Sequence, residues 1–443
     1  MNPVQDPRST RIRPNQLSLN SLLIRREVTS RFTAPRALSL SNPMPDPNPQ
    51  GSAITEGSPT LQKGLTQFLE AKAKGDDSGN YRRNAKRVIT NWIDWLTQRD
   101  IERFEQLDET VLAHYAEHLR RRVAVNEAET TDSGIARSTA WTYYNTISAF
   151  LGWASKWGYL QENYARAGLA QESMPERSAS QQSQQQFWTP DQRTQILNYV
   201  NKRAHDAIDE KGMDADVEAR DRALVAVLAF TGMRASEVFR SEHDNRTGRQ
   251  GIRWRDVDLE EQTISVLGKN QQRQSAWLLK QAIPAVERYR TISDPPSDDW
   301  PVFPTRHAPS LYECTRTHLR EIEDENEESI EAILDENPIK EVLREYCITP
   351  PAITTTGARS VMKRLCEAAE LDIPTPPEGA GYLQLHGARR GIGDTFYRMD
   401  RGTAQDLMRH QSLETTKDHY SHIDATEGAK RASEMLDQTE DKT

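Results

Sequence analysis

At 443 residues with a formal net charge of −9, the chain is long enough for two or three domains with separate cores, and solubility is expected throughout. No apolar run approaches the roughly 20 residues that span a bilayer, and the N-terminus lacks the apolar stretch of a secretory signal, so the chain reads as cytoplasmic. The three cysteines, Cys314, Cys347 and Cys366, are widely spaced without a Cys-x-x-Cys pair, which argues against a zinc site or a disulfide framework.

Residues 1–59 are rich in Pro, Ser, Asn and Arg, with Arg8, Arg11, Arg13, Arg25, Arg26, Arg31 and Arg36 making the segment basic. It has no sustained periodicity and reads as a disordered arm. Its composition also resembles an organelle transit peptide, a common coincidence in such segments. From 60 to 166 the pattern is helical. Val88, Trp92, Trp95 and Leu96 share one face, as do Val111, Tyr115 and Leu119, and a third stripe runs from Trp141 through Tyr144, Ile147, Phe150, Leu151 and Trp153. Residues 167–187, Ser178 to Gln186 above all, read as a Gln/Ser-rich linker.

A second domain spans 188–430. Thr189 followed by Pro190 predicts a capped helix start. Ala223 to Phe230 predicts a buried helix that ends at Gly232, a residue able to take the left-handed conformation of a helix C-terminus. Thr263 to Leu267 and Gln274 to Leu278 predict a β-hairpin with Lys269 at its tip. An insertion of about 305–353 carries an acidic block from Glu321 to Glu336 and is expected to be partly helical, through Ile330, Ile333, Val342 and Leu343. Helical periodicity returns at Ala358 to Leu371, followed by His386 to Tyr397 and Thr403 to Tyr420. Residues 431–443 form an acidic tail. The fold class expected is mainly α with a small antiparallel sheet.

Arg234, His386, Arg389, His410 and Tyr420 are the side-chain types needed to hold a phosphodiester, neutralise its developing charge and attack it. Taken singly, each has a plainer reading. Arg234 can pair with Glu237 one turn later on a surface. His386 and Arg389, three residues apart, can share an ordinary solvated helix face. Lys269 can be an exposed turn residue, His410 a junction filler and Tyr420 a half-buried anchor.

Four segments change that balance: TGMRASEV at 231–238, GKNQQR at 268–273, HGARRG at 386–391 and LMRHQSLETTKDHYSH at 407–422. In order and context they resemble the boxes of the tyrosine recombinase (phage integrase) family, and 60–166 resembles that family's helical core-binding domain. The resemblance implies a DNA breaking-rejoining catalytic domain in which Arg234 and Arg389 grip the scissile phosphate and Glu237 holds the Arg234 guanidinium. It further implies that His386 assists proton transfer, His410 donates a hydrogen bond to the phosphate, Lys269 protonates the leaving 5′ oxygen and Tyr420 is the nucleophile. A phenol with a pKa near 10 needs such cationic neighbours to ionise during attack. Two departures stand out. Gly387 and Ala388 replace a bulkier acidic and aliphatic pair, and Arg409 replaces the usual glycine, which adds charge and leaves the backbone there in question.

The activity so implied is site-specific cutting and rejoining of duplex DNA through a 3′-phosphotyrosyl intermediate, as in integration or excision of a mobile element, with no cofactor and no metal. The partners implied are duplex DNA, four copies of the chain on two DNA sites, and accessory DNA-bending proteins. Two other readings remain open from the residues alone: a catalytically idle DNA-binding regulator of the same fold, and a type IB topoisomerase. The acidic insertion is read as a solvated adaptation to high salt or as a surface for a neighbouring protomer.

Overall fold

The computed structural model of the chain describes residues 59–72, 80–128, 134–176, 185–244, 246–268, 271–375, 379–410, 412 and 414. Outside them lie the basic arm up to residue 58, residues 177–184 of the expected linker, Lys269, Tyr420 and the acidic tail.

The first core is built by helices α1 (Leu61–Lys72), α2 (Asn80–Thr97), α3 (Glu109–Glu127), α4 (Arg137–Lys156) and α5 (Gly168–Glu172). The predicted stripes are its inner faces: Val88, Trp92, Leu96, Tyr115, Leu119, Tyr144, Ile147, Phe150 and Leu151 are all buried together. Asp108 caps α3 by accepting from the Val111 N–H at 2.8 Å, as a short polar side chain does at a helix start. Aromatic rings fill the centre, with Phe68 packed edge-on against Phe150 and Trp153. Gly64 lets α1 come close, since a Cβ there would sit 2.5 Å from the Phe104 ring. The core also takes in part of the expected linker: Ala170 of α5 and Met174 are buried in it, and the Trp141 indole donates to the Pro175 carbonyl at 3.0 Å. The polar Gln and Ser run begins only after these residues.

The second core begins at α6 (Pro190–Lys211). Thr189 caps it as expected, accepting from the Gln192 N–H at 3.2 Å while the Gln192 side chain accepts from the Thr189 N–H at 3.2 Å. Helix α7 (Asp216–Thr231) is buried along most of its length and ends at Gly232, whose φ of 61° is left-handed. After the four-residue α8 (Ala235–Val238) comes a sheet of β1 (Val257–Asp258), β2 (Thr263–Leu267) and β3 (Arg273–Trp277), antiparallel in that order. Thr263 pairs with Trp277 and Leu267 with Arg273, so the second hairpin strand starts one residue earlier than its apolar pattern suggests. Helices α9 (Ile283–Ser293), α13 (Thr355–Ala368), α14 (Leu385–Met399) and α15 (Arg401–Met408) complete this half. Among the described residues, no helix is long and apolar enough to cross a membrane.

Between α9 and α13 the chain leaves and re-enters at one place, a bridge between Pro304 and Ala352. The excursion folds as α10 (Ala308–Glu321), α11 (Glu327–Glu336) and α12 (Ile339–Glu345) around a small core of Leu319, Ile330, Leu334 and Val342. The acidic block is therefore largely the outer face of an amphipathic helix. Two of its glutamates pair with α10, Glu331 with Arg316 and Glu327 with Arg320, and exposed pairs of this kind stabilise little.

Two contacts fix the helices that matter most for function. Asp221 of α7 is fully buried and accepts from Arg203 of α6 at 2.8 Å, from its neighbour Arg220 at 2.8 Å and from Arg364 of α13 at 2.6 Å. Burial pushes its carboxyl up, but the charges and hydrogen bonds of Arg220 and Arg364 outweigh that and hold it below the ordinary aspartate range. Elsewhere, the segment Gln186 to Trp188 runs over α14. The Trp188 N–H donates to the Gly387 carbonyl at 3.1 Å, its indole donates to the Gln384 carbonyl at 2.9 Å, and Gln186 bonds Tyr382 and Gln384. A Cβ on Gly391 would run into the Trp188 carbonyl, and one on Gly387 would lie 3.1 Å from the Trp188 ring. The small residues of the HGARRG box are thus a seat for the incoming chain.

Replacing Gly391 by Ala should destabilise by about 1–3 kcal/mol through overpacking, whereas Gly402→Ala, at an exposed helical position, should be neutral or gain up to about 1 kcal/mol. Urea midpoints followed by tryptophan fluorescence compare the two. Asp221→Asn should cost about 3 kcal/mol at neutral pH, because Arg220 is left buried without its charge partner. Since the folded carboxyl titrates below its unfolded value, this contribution is present above the unfolded pKa and fades as pH falls through the folded one. The wild-type and Asp221→Asn midpoints should therefore converge in acid.

Candidate active site

The site is assembled where helices α7 and α15 end. Each leaves backbone carbonyls without intrahelical partners, and each end carries negative partial charge. The guanidinium of Arg389, buried on α14, donates Nη1 to the Gly232 carbonyl and Nη2 to the Met408 carbonyl. One planar cation so closes both helix ends. The approach is tight: a Cβ on Gly232 would meet the Leu407 side chain and carbonyl at 3.3 Å.

Beyond Gly232, Arg234 stands at the start of α8 and Glu237 one turn later. The Glu237 carboxylate is 1% exposed and accepts from the Arg234 N–H at 2.8 Å and from Arg234 Nη1 at 2.9 Å. It also accepts from Arg409 Nη2. Burial pushes the Glu237 carboxyl up, yet the charges of Arg409, Arg234 and Arg389, with the Arg234 N–H, outweigh it and keep the group below the ordinary glutamate range.

The backbone at Arg409 has φ 49° and ψ 46°. Its N–H donates to the Asp406 carbonyl at 3.0 Å and that of His410 to the Gln405 carbonyl at 3.1 Å. This is the paired closure of a Schellman motif, and Arg409 occupies the left-handed position usually given to glycine. An L-residue there costs about 1–2 kcal/mol. The Gln405 side chain returns a bond to the His410 carbonyl at 3.2 Å, which pins His410.

Arg234, His386, Arg389 and His410 line one cavity of about 120 Å³, together with Gln185, Phe187, Arg390 and Met408. Four of the six expected catalytic residues are thereby brought together. His386 and Arg389 share α14 as their spacing requires. The other two, Lys269 and Tyr420, lie outside the described residues. Both flanks of the hairpin tip are tied down, with the Gly268 N–H donating to the Gln272 carbonyl at 2.8 Å. The buried Arg249 donates to the Gly268 carbonyl at 2.8 Å and to the Ser236 carbonyl of α8 at 3.3 Å, which links the hairpin base to the helix beside Arg234. A larger cavity of about 450 Å³, lined by Trp254, Tyr289, Trp300 and Arg306, contains none of the candidate residues.

Sequence reasoning missed the part played by Gln185, Phe187 and Arg390 in lining the cavity, and that of Arg249 and Arg409 behind it. The only signal for Arg409 was its presence where glycine is usual. For Gln185 there was none, since it stands in a Gln-rich run.

The phage integrase family model matches residues 186–427, and the phage integrase SAM-like domain model matches residues 62–170. The tyrosine recombinase XerC of Pediococcus pentosaceus is 25% identical over 206 residues, 46% of this chain and 50% of that protein. The tyrosine recombinase XerC of Xanthomonas axonopodis pv. citri is 34% identical over 93 residues, 21% of this chain and 27% of that protein. The matches thus span half or less of the length of these curated relatives. Among solved structures, the Tn1549 transposon integrase in complex with transposon right end DNA has a TM-score of 0.50 at 12% identity, covering 85% of this chain and 99% of that one, a likeness of fold. With more than half of its residues matched by one family model, the chain belongs to the phage integrase family.

Proposed function

We propose that the protein is a site-specific tyrosine recombinase that cuts and rejoins duplex DNA. The observation that carries this reading is the convergence of Arg234, Arg389, His386 and His410 on one small cavity, a set of donors and cations matched to a phosphate and held by helix ends. Arg389 is held by two carbonyls, and a rigid, planar five-donor fork fixed in this way is suited to phosphate oxygens. Arg234 is oriented by Glu237 and partly open to the cavity.

In this mechanism the Tyr420 phenolic oxygen bonds to the scissile phosphorus as its proton passes toward His386. The bond to the 5′ oxygen breaks, and that oxygen takes a proton from Lys269. A 5′ hydroxyl of the partner duplex then attacks the phosphotyrosine and releases the tyrosine, so the phosphodiester energy is conserved. The arginines carry the charge stabilisation throughout. Four copies on two DNA sites, with accessory DNA-bending proteins, form the working assembly. The SAM-like match over 62–170 favours this over a topoisomerase using the same bond chemistry.

The test uses a pool of nicked duplexes of randomised sequence, from which DNA attached to protein under denaturing conditions is recovered. The wild type should form an adduct and Tyr420→Phe none, while both shift duplex mobility equally. An adduct that survives in Tyr420→Phe, or none in the wild type, would reject the reading. Arg234→Ala should slow adduct formation by about 10²–10³-fold, the scale of a lost oxyanion donor. Lys269→Ala should fail on ordinary DNA but recover when the 5′ bridging oxygen is replaced by sulfur, because a thiolate leaves without a proton. Equal defects on both substrates would remove Lys269 from the acid's role.

A further inference from the structure

We propose that Arg409 is a positioning residue of the cleavage site, fixing Arg234 through the carboxylate of Glu237. The inference rests on the recombinase reading and adds to it a residue that does not line the cavity.

Two features of Arg409 oppose stability. Its backbone is left-handed, where glycine would be unstrained. Its side chain is 8% exposed, and Nε and Nη1 are buried with no hydrogen-bond partner among the described residues, a costly state for a charged group. A glycine would close α15 equally well without either cost. What the arginine supplies is its contact with Glu237 Oε2. The same carboxylate takes the Arg234 N–H and Nη1. Donors from both sides leave it no freedom to rotate. Without Arg409, the carboxylate would be oriented by Arg234 alone, from a helix of four residues. Arg234 has a long side chain that is 29% exposed, and a phosphate ligand of that kind acts only as well as its geometry is held.

The arrangement also has an electrostatic signature. The charged groups facing Glu237 are Arg234 on its own helix, Arg409 after α15, Arg389 of α14 and Arg249 ahead of the sheet. Arg409 is the largest influence holding the carboxyl down against burial. Its removal should raise the pH at which Glu237 takes a proton and lets go of Arg234.

Full-length Arg409→Gly, Arg409→Lys and wild type are compared on a nicked duplex that the wild type cleaves. Arg409→Gly keeps the left-handed turn, so it should bind duplex as wild type does. Its single-turnover cleavage should fall on the order of 10- to 100-fold, with the acid limb of the rate displaced to higher pH. Arg409→Lys, which keeps the charge without the fork, should recover part of the rate and return the acid limb toward wild type. The proposal is overturned if Arg409→Gly matches wild type in rate and acid limb. It is equally overturned if DNA binding, thermal midpoint and cleavage fall together with no recovery in Arg409→Lys, which marks a structural role. Failure of the wild type to form an adduct on any duplex overturns the recombinase reading itself, and this inference with it.

Discussion

The guanidinium of Arg389, buried between the C-terminal ends of α7 and α15, is the contact on which the rest of the site depends. Helix C-termini are poor neighbours for one another, since each presents unsatisfied carbonyls of the same partial charge. Two of them can meet in a dry place only if something donates to both. Lysine offers a point charge; arginine offers a planar fork that reaches two acceptors at fixed angles. Once Arg389 is seated, the turn after α7 must present Arg234 and the turn after α15 must present His410 on the same cavity. On the proposed reading, structure and chemistry share one side chain, and no substitution of Arg389 can separate them.

A cluster of arginines is self-repelling unless an acid is placed among them. Glu237 fills that need. Three guanidinium groups, Arg234, Arg389 and Arg409, against one carboxylate leave these four side chains with a net charge of 3 − 1 = +2. The carboxylate pays its own desolvation only because each neighbour favours its ionised form. The result is a pocket wall that is cationic yet has fixed geometry, the condition under which charge stabilisation needs no reorganisation at the moment of reaction.

Much of this was legible from local patterns. Gly232 ends α7 with a positive φ, Thr189 caps α6, and the three-residue spacing of His386 and Arg389 holds on α14. Each depends on neighbours within one turn, and spacing records such relations directly. What was not legible depends on distant backbone. Gln186 looks like any glutamine in a polar run, yet its amide bonds Tyr382 and Gln384, across nearly two hundred positions. Gly387 and Gly391 stood out as small residues, but only the path of Trp188 over α14 says what the space is for. The same holds for α5, whose Ala170 becomes core because α3 offers it a face while its neighbour Leu169 stays exposed.

The overall charge of −9 and the basic site are reconciled by the same reasoning. Charge summed over a chain describes its long-range field, and in physiological salt that field decays over about 8 Å. The acids of α11 lie on a helix whose inner face is Ile330 and Leu334, and two of them are matched by arginines of α10. They form the solvated side of a small helical layer joined to the main core at the Pro304 and Ala352 bridge. The cations of the site are ordered by contrast through carbonyls and one buried carboxylate. On the proposed reading, a phosphate entering the cavity meets the nearest fixed donors, and these are set by helix ends rather than by composition.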